Sequence, residues 1–174
     1  MRKLTLPLKE IDLISLKTGE LLFLSGKVYT ARDMAHKRLK SAIRNGKKLP
    51  LPLKDQTIYY TGPTPAPKEK VIGSCGPTTS SRMDDFTPSL LKAGLKGMIG
   101  KGSRSKEVIA AIKRYKAVYF LALAGCGALL SKYIKKARVI AYKDLGTEAI
   151  YELELKAFPV IVGIDSRGRS VYVK

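Results

Sequence analysis

From Gly73 to Asp84 the chain reads Gly-Ser-Cys-Gly-Pro-Thr-Thr-Ser-Ser-Arg-Met-Asp, with six small hydroxyl or thiol side chains before its first charge. A loop of this composition turns several backbone N–H groups and hydroxyls to one side, the chemistry wanted around a carboxylate or phosphate. Arg82 adds a planar, bidentate partner for a carboxylate. Lys101-Gly102 follows an apolar stretch and precedes Ser103 and Ser105, so its ammonium sits where a strand ends and a helix begins. Arg32 and His36 are four apart and share one helical face. Each also has a plainer reading: a polar connection without a ligand, a solvent-facing lysine, a surface arginine, a histidine at the edge of a core.

The elements that carry these residues follow from periodicity. Residues 1–18 alternate loosely and predict one or two edge strands. Leu21 to Thr30 predicts a strand with Gly26 at a bend or a close backbone approach. Thr30 with Asp33 resembles a capping box and opens a helix running to about Asn45-Gly46, its apolar stripe being Ala35, Leu39 and Ile43. Gln56 to Tyr60 reads as a strand that leads into a proline-bound extended loop through Pro67, and Lys70 to Ile72 as a short buried strand. Thr87 as N-cap with Pro88 opens a helix that stops near Gly94. Then come a strand over Lys96–Gly100, a helix capped by Ser103 or Ser105, and a strand over Ala117–Ala124. Gly125 to Leu130 reads as a short helix, and its glycines do not match GxGxxG. Ala137–Tyr142 and Ala149–Leu155 predict strands, and Pro159–Ile164 with Gly168–Val173 a closing hairpin. Strand, loop and helix alternate through the middle with strand-rich ends, so the expectation is a single α/β domain over 1–174, a mixed sheet flanked by helices.

Composition narrows the classes. A 174-residue chain with 45% hydrophobic residues has enough material for one core. The apolar run at Ala117–Leu130 is broken by Gly125 and Gly127 and is too short for a membrane span, and nothing at the start reads as a signal peptide. No membrane association and a cytoplasmic location are therefore expected. Cys75, Cys126 and His36 fall short of a self-contained zinc or iron–sulfur site, so any cluster must be held mostly by another chain. The formal charge of +19 attracts anions of any kind: nucleic acid, acidic metabolites or an acidic protein.

Taken together, three stretches resemble one family. Gly26 to His36, Tyr60-Thr61-Gly62-Pro63, and Gly76 to Asp84 with Lys101-Gly102 are similar to blocks of the iron–sulfur (class I) fumarases, in their C-terminal domain or beta subunit. Leu145 to Ile150 and Phe158-Pro159 extend the likeness over nearly the whole chain from Gly26 onward, and Cys126 is a departure where glycine or alanine is expected. The resemblance implies a swivelling β/β/α-type domain and a hydro-lyase interconverting fumarate and L-malate, or acting on tartrate in the sister branch. It implies an alpha subunit that ligates a [4Fe–4S] cluster, with no metal ligand from this chain. It assigns Arg32, Arg82 and Lys101 to binding the dicarboxylate substrate and Thr78 to the catalytic proton transfer. Two other classes stay open beside it: a basic nucleic-acid-binding module, although no aromatic residues interleave with Lys and Arg in a recognisable motif, and a small-molecule binding protein using the same anion pocket without chemistry.

Overall fold

The computed structural model describes residues 2–172. The elements in chain order are β1 (Arg2–Leu6), α1 (Glu10–Ser15), β2 (Leu21–Thr30), α2 (Asp33–Arg44), β3 (Thr57–Tyr59), α3 (Thr87–Lys92), β4 (Gly97–Gly100), α4 (Lys106–Tyr115), β5 (Val118–Leu121), α5 (Gly127–Leu130), β6 (Ile134–Ala141) and β7 (Ile150–Ile164). Short 3-10 turns occupy Ser80–Met83, Ser131–Tyr133 and Lys143–Glu148.

Strands β2, β3, β4 and β5 run parallel, in registers such as Tyr29↔Ile58, Ile58↔Met98 and Ile99↔Phe120. The long β7 then pairs antiparallel with both β5 (Phe120↔Val162) and β2 (Leu22↔Val160, Val28↔Leu153). The pairing β2–β3–β4–β5–β7–β2 therefore closes on itself as a five-stranded ring, with β1 added beside β2 and β6 beside β7. A mixed sheet flanked by helices is what the alternation of elements led us to expect.

Alternation along the strands sorts the core into two layers. Leu22, Leu24, Tyr59, Ile99, Phe120, Leu153, Phe158 and Val162 belong to one buried cluster, drawn from all five strands of the ring. Their neighbours Ile58, Tyr60, Met98 and Tyr119 point the other way, against Ala35 and Leu39 of α2, Leu90 of α3 and Val108 and Ile112 of α4. Gly26 has φ +113°, and a Cβ there would lie 2.6 Å from the Leu6 carbonyl, so the close backbone approach read from the sequence is made by β1.

Several local expectations give way to tertiary context. The second N-terminal strand is instead α1, because the Asp12 carboxylate accepts from the Lys9 N–H and closes a helical turn that buries Leu13. Thr30 does not cap α2: its hydroxyl donates to the Ala149 carbonyl and accepts from the Tyr151 N–H, tying β2 to the start of β7. Arg32 holds the N-cap position. Thr87 lies inside α3, its hydroxyl spent on the Met83 carbonyl. Lys70–Ile72 forms no strand: Ile72 is buried but Val71 is 50% exposed. The strands expected over Ala149–Leu155 and Pro159–Ile164 are one continuous β7. The expected hairpin shrinks to a single bridge, Ile164↔Ser170, around an Asp165 carboxylate that accepts from the Arg167 and Arg169 N–H groups; Val173, its predicted end, lies outside the described residues.

Candidate functional site

The parallel strands β2, β3 and β4 end side by side, and the chain leaving each one carries chemistry. The Ala31 N–H donates to the Tyr59 carbonyl, and the Tyr60 N–H to the Ile99 carbonyl. The Gly73–Asp84 stretch folds back over these ends. Thr78 donates its N–H to the Tyr60 carbonyl at 2.7 Å, and Ser80 donates its own to the Lys101 carbonyl at 3.0 Å. Thr79 and Lys101 form a parallel bridge. Thr78, Arg82 and Lys101 are therefore assembled on adjoining backbone from positions 78 to 101, at the carboxyl ends of parallel strands where α/β folds gather ligands.

Arg32 joins them through Asp33. One carboxylate oxygen of Asp33 accepts from Arg82 Nε at 2.9 Å, and the other faces Arg32 Nε at 3.9 Å. That second oxygen and Arg32 Nε are both buried without a hydrogen-bond partner. Glu148 lies on the far side, 3.9 Å from the Arg32 guanidinium, and accepts from the Met34 N–H at 2.9 Å. Asp33 so holds the Arg82 guanidinium by a hydrogen bond, and Asp33 and Glu148 attract that of Arg32 from 3.9 Å and offset part of its charge. Gly62 is required by this arrangement: a Cβ there would meet Arg32 Cδ at 2.8 Å and the Thr147 carbonyl at 2.9 Å.

Beneath the cations lies a buried polar layer that sequence reasoning missed. The Arg104 side chain is 0% exposed and donates from Nε to Asp84 at 2.7 Å. It lies 5.3 Å from the Tyr60 ring and 5.0 Å from the Tyr119 ring. Tyr119 is held by Ser80 Oγ and the Gly102 carbonyl, each at 2.9 Å, and burial pushes its phenol up, so it keeps its proton. His36 is also fully buried. Its Nδ1 donates to the Arg32 carbonyl at 2.9 Å, its ring stands edge-on to Tyr60, and burial lowers its pKa to about 4. Asp84 and Arg104 sit in the stretches the sequence pointed to, but only the return of β4 beneath the loop brings them together.

The chain's own donors do not make a metal centre. Among the described residues no three His, Cys, Asp or Glu side chains gather to hold an ion. Burial raises the Cys75 thiol to about 11, which disfavours the thiolate a metal needs, and His36 has committed one ring nitrogen to Arg32. An iron–sulfur cluster does not fit this donor set. A cleft of about 830 Å³ lined by Leu6, Pro7, Lys9, Asp55, Lys96 and Lys116 lies at the opposite, amino ends of β3–β5, and none of the candidate residues lines it. Among the described residues no helix is long and apolar enough to cross a membrane.

Comparison with known proteins gives one consistent result. Residues 2–174 match the family model described as Fumarase C-terminus. The chain is 39% identical over 167 residues to a Methanocaldococcus jannaschii protein provisionally named L(+)-tartrate dehydratase subunit beta, covering 92% of this chain and 86% of that one. It is 36% identical to the aerobic class I fumarate hydratase of Escherichia coli over 95% of its own length, but spans only 31% of that enzyme. It is 30% identical to the L(+)-tartrate dehydratase subunit beta of Escherichia coli, covering 97% of this chain and 85% of that subunit.

Proposed function

We propose, from the premise that the chain belongs to the fumarase C-terminus family, that it is the beta component of an iron–sulfur hydro-lyase and hydrates fumarate reversibly to L-malate together with an alpha subunit. The observation that carries this reading is the junction of Arg32 and Arg82 on Asp33, beside the backbone that binds Thr78 and Lys101 to the same strand ends.

A four-carbon dianion needs both carboxylates held while a hydroxyl leaves one carbon and a proton leaves its neighbour. Guanidiniums and an ammonium fixed before the substrate arrives stabilise the additional negative charge that develops when the proton departs. Arg32, Arg82 and Lys101 take that role. The [4Fe–4S] cluster belongs to the alpha subunit in this reading, where it would supply a Lewis acid for the leaving hydroxyl. Thr78 takes the proton-transfer role, its backbone N–H fixed on the Tyr60 carbonyl. A threonine hydroxyl is a weak base at neutral pH, so Thr78 acts only with a carboxylate from the partner beside it.

The identity to two proteins named as tartrate dehydratase beta subunits supports a second substrate, tartrate, held by the same cations. Anaerobic co-expression with the alpha chain, followed by absorbance assays with fumarate, L-malate and both tartrates, separates the two. In that pair Arg82→Ala is expected to assemble normally and to lose about 2–5 kcal/mol of transition-state binding, the cost of truncating a charged contact to a dianion. In rate terms that is about 30-fold to several thousand-fold in kcat/KM. Normal turnover by Arg82→Ala removes Arg82 from the site.

A further inference from the structure

We propose that the buried Asp84–Arg104 pair, with the Ser80–Tyr119 hydroxyl relay beside it, is a strut that fixes the separation of Arg82 from Lys101, and that Arg104 is a positioning residue for anion binding. This rests on the reading of Arg82 and Lys101 as substrate-binding cations.

The strut is visible in how its bonds converge. Arg82 lies in the Ser80–Met83 turn, two residues before Asp84. Lys101 follows β4, three residues before Arg104. Between these two segments the Asp84 carboxylate accepts from Arg104 Nε on one oxygen and from the Ser105 N–H on the other, both at 2.7 Å. The outer face of the guanidinium donates to Thr87 Oγ1 at 2.7 Å, and that hydroxyl donates to the Met83 carbonyl at 2.8 Å, which returns the chain of bonds to the residue after Arg82. The Arg104 side chain is therefore tied to the Arg82-bearing segment twice, directly at Asp84 and through Thr87 at Met83.

The second tie is uncharged. Lys101 donates its N–H to Ser80 Oγ at 3.1 Å. Tyr119 lies 2.9 Å from both Ser80 Oγ and the Gly102 carbonyl, and a carbonyl only accepts, so the phenol proton points at Gly102 and Ser80 gives its own proton to the phenol oxygen. The relay runs from Lys101 N–H through Ser80 and Tyr119 to the Gly102 carbonyl, gripping both flanks of Lys101. Apolar side chains of similar volume would fill this layer with less desolvation cost. What they would lack is the directional hold on these two segments.

The test uses the chain assembled with its larger partner. Removing Arg104 alone leaves Asp84 buried and unpaired and risks the fold, so the pair is removed together as Arg104→Met with Asp84→Asn. Tyr119→Phe, which deletes one hydroxyl, is the milder companion. Both are expected to lower kcat/KM for the dicarboxylate about tenfold, with KM raised and kcat lowered together, because Arg82 and Lys101 both hold the substrate and stabilise the charge that develops on it. In an Arg82→Ala background removal of the Asp84–Arg104 pair should then add no more than about twofold, because Lys101 is still gripped by the Ser80–Tyr119 relay and Arg82 is no longer there to position. Independent, multiplying effects on kcat/KM, or an unchanged KM, overturn the proposal. A readout without turnover keeps it separate from the functional reading. In the chain alone, the Arg82 Nε–H nuclear magnetic resonance signal, identified by its loss in Arg82→Ala, should move toward the free-arginine position when the pair is removed. If the assembled wild-type pair turns over none of the dicarboxylates, the functional reading fails while this signal still tests the strut, and a signal that stays in place refutes it.

Discussion

His36 lies one helical turn after Arg32, and its ring carries a pH dependence that can be worked out. Folded, burial lowers its pKa to about 4, while the unfolded chain titrates near the ordinary 6.5. The unfolded state thus binds the extra proton first as pH falls. His36 contributes stability that is fully present above about 6.5 and is lost between there and about 4, on the order of 3 kcal/mol in all. Denaturant midpoints at several pH values in that window should fall in the wild type more steeply than in His36→Phe, which fills the cavity without a titrating group. Equal slopes would remove His36 as the cause. The sequence placed this residue on the face of Arg32, and the four-residue spacing was enough for that. It gave no sign of complete burial, because the covering rings, Tyr60 and Phe86, come from other segments. The same limit hid Arg104. An arginine in a chain this lysine-rich reads as solvated until a carboxylate from 20 residues earlier in the sequence is brought against it.

At the scale of elements, local pattern identified β2, α2, β3, α3, β4, α4 and β5 within a few residues: a one-sided apolar stripe marks the helices, and short apolar runs mark β3–β5, which are buried on both faces. It failed where a segment's partner is far away in sequence. Lys70–Ile72 has a strand's composition but pairs with no strand, and residues 10–15 fit either period until the Asp12 carboxylate selects the helix. The join of β4 to the Gly73–Asp84 loop is the element-level feature on which the site depends. A Cβ on Gly100 would stand 1.9 Å from Ser80 Oγ and 2.9 Å from the Tyr60 ring. Gly100→Ala should therefore push the loop off the strand end. The expected cost is about 1–3 kcal/mol in denaturant unfolding, the range for overpacking a tight contact. Because Ser80 would be displaced from Lys101, dicarboxylate affinity in the assembled pair should fall as well. A variant that unfolds like wild type and binds normally would mean that this contact yields easily and does not set the site. Gly102→Ala is a useful comparison, since nothing lies within 4 Å of the Cβ position and only its φ of +80° opposes the change.

For the whole molecule, ring closure was beyond reach of the sequence: β7 reads as two strands because Ala157, at φ +52°, and Pro159 interrupt its pattern, yet both halves serve β2. Net charge, by contrast, is read directly, and the structure says where part of it goes. Arg32, Arg38, Arg82, Arg104, Arg138 and Arg169 each meet a carboxylate, while much of the +19 remains as solvated lysine. A field of that size must draw duplex nucleic acid to the isolated chain whatever its function. The two origins of anion affinity differ in their salt response. Contacts spread over exposed lysines displace counterions, and about six of them would cost roughly a thousandfold in affinity between about 50 and 200 mM salt, with no preference among sequences. A dicarboxylate held by guanidiniums pre-set on Asp33 makes few contacts, in a half-buried setting that salt screens weakly, so its KM in the assembled pair should change by less than about threefold over the same range. Duplex binding that survives at 200 mM and discriminates between sequences would make nucleic acid the specific ligand, and the cations at the strand ends would then have to be reread as part of that surface.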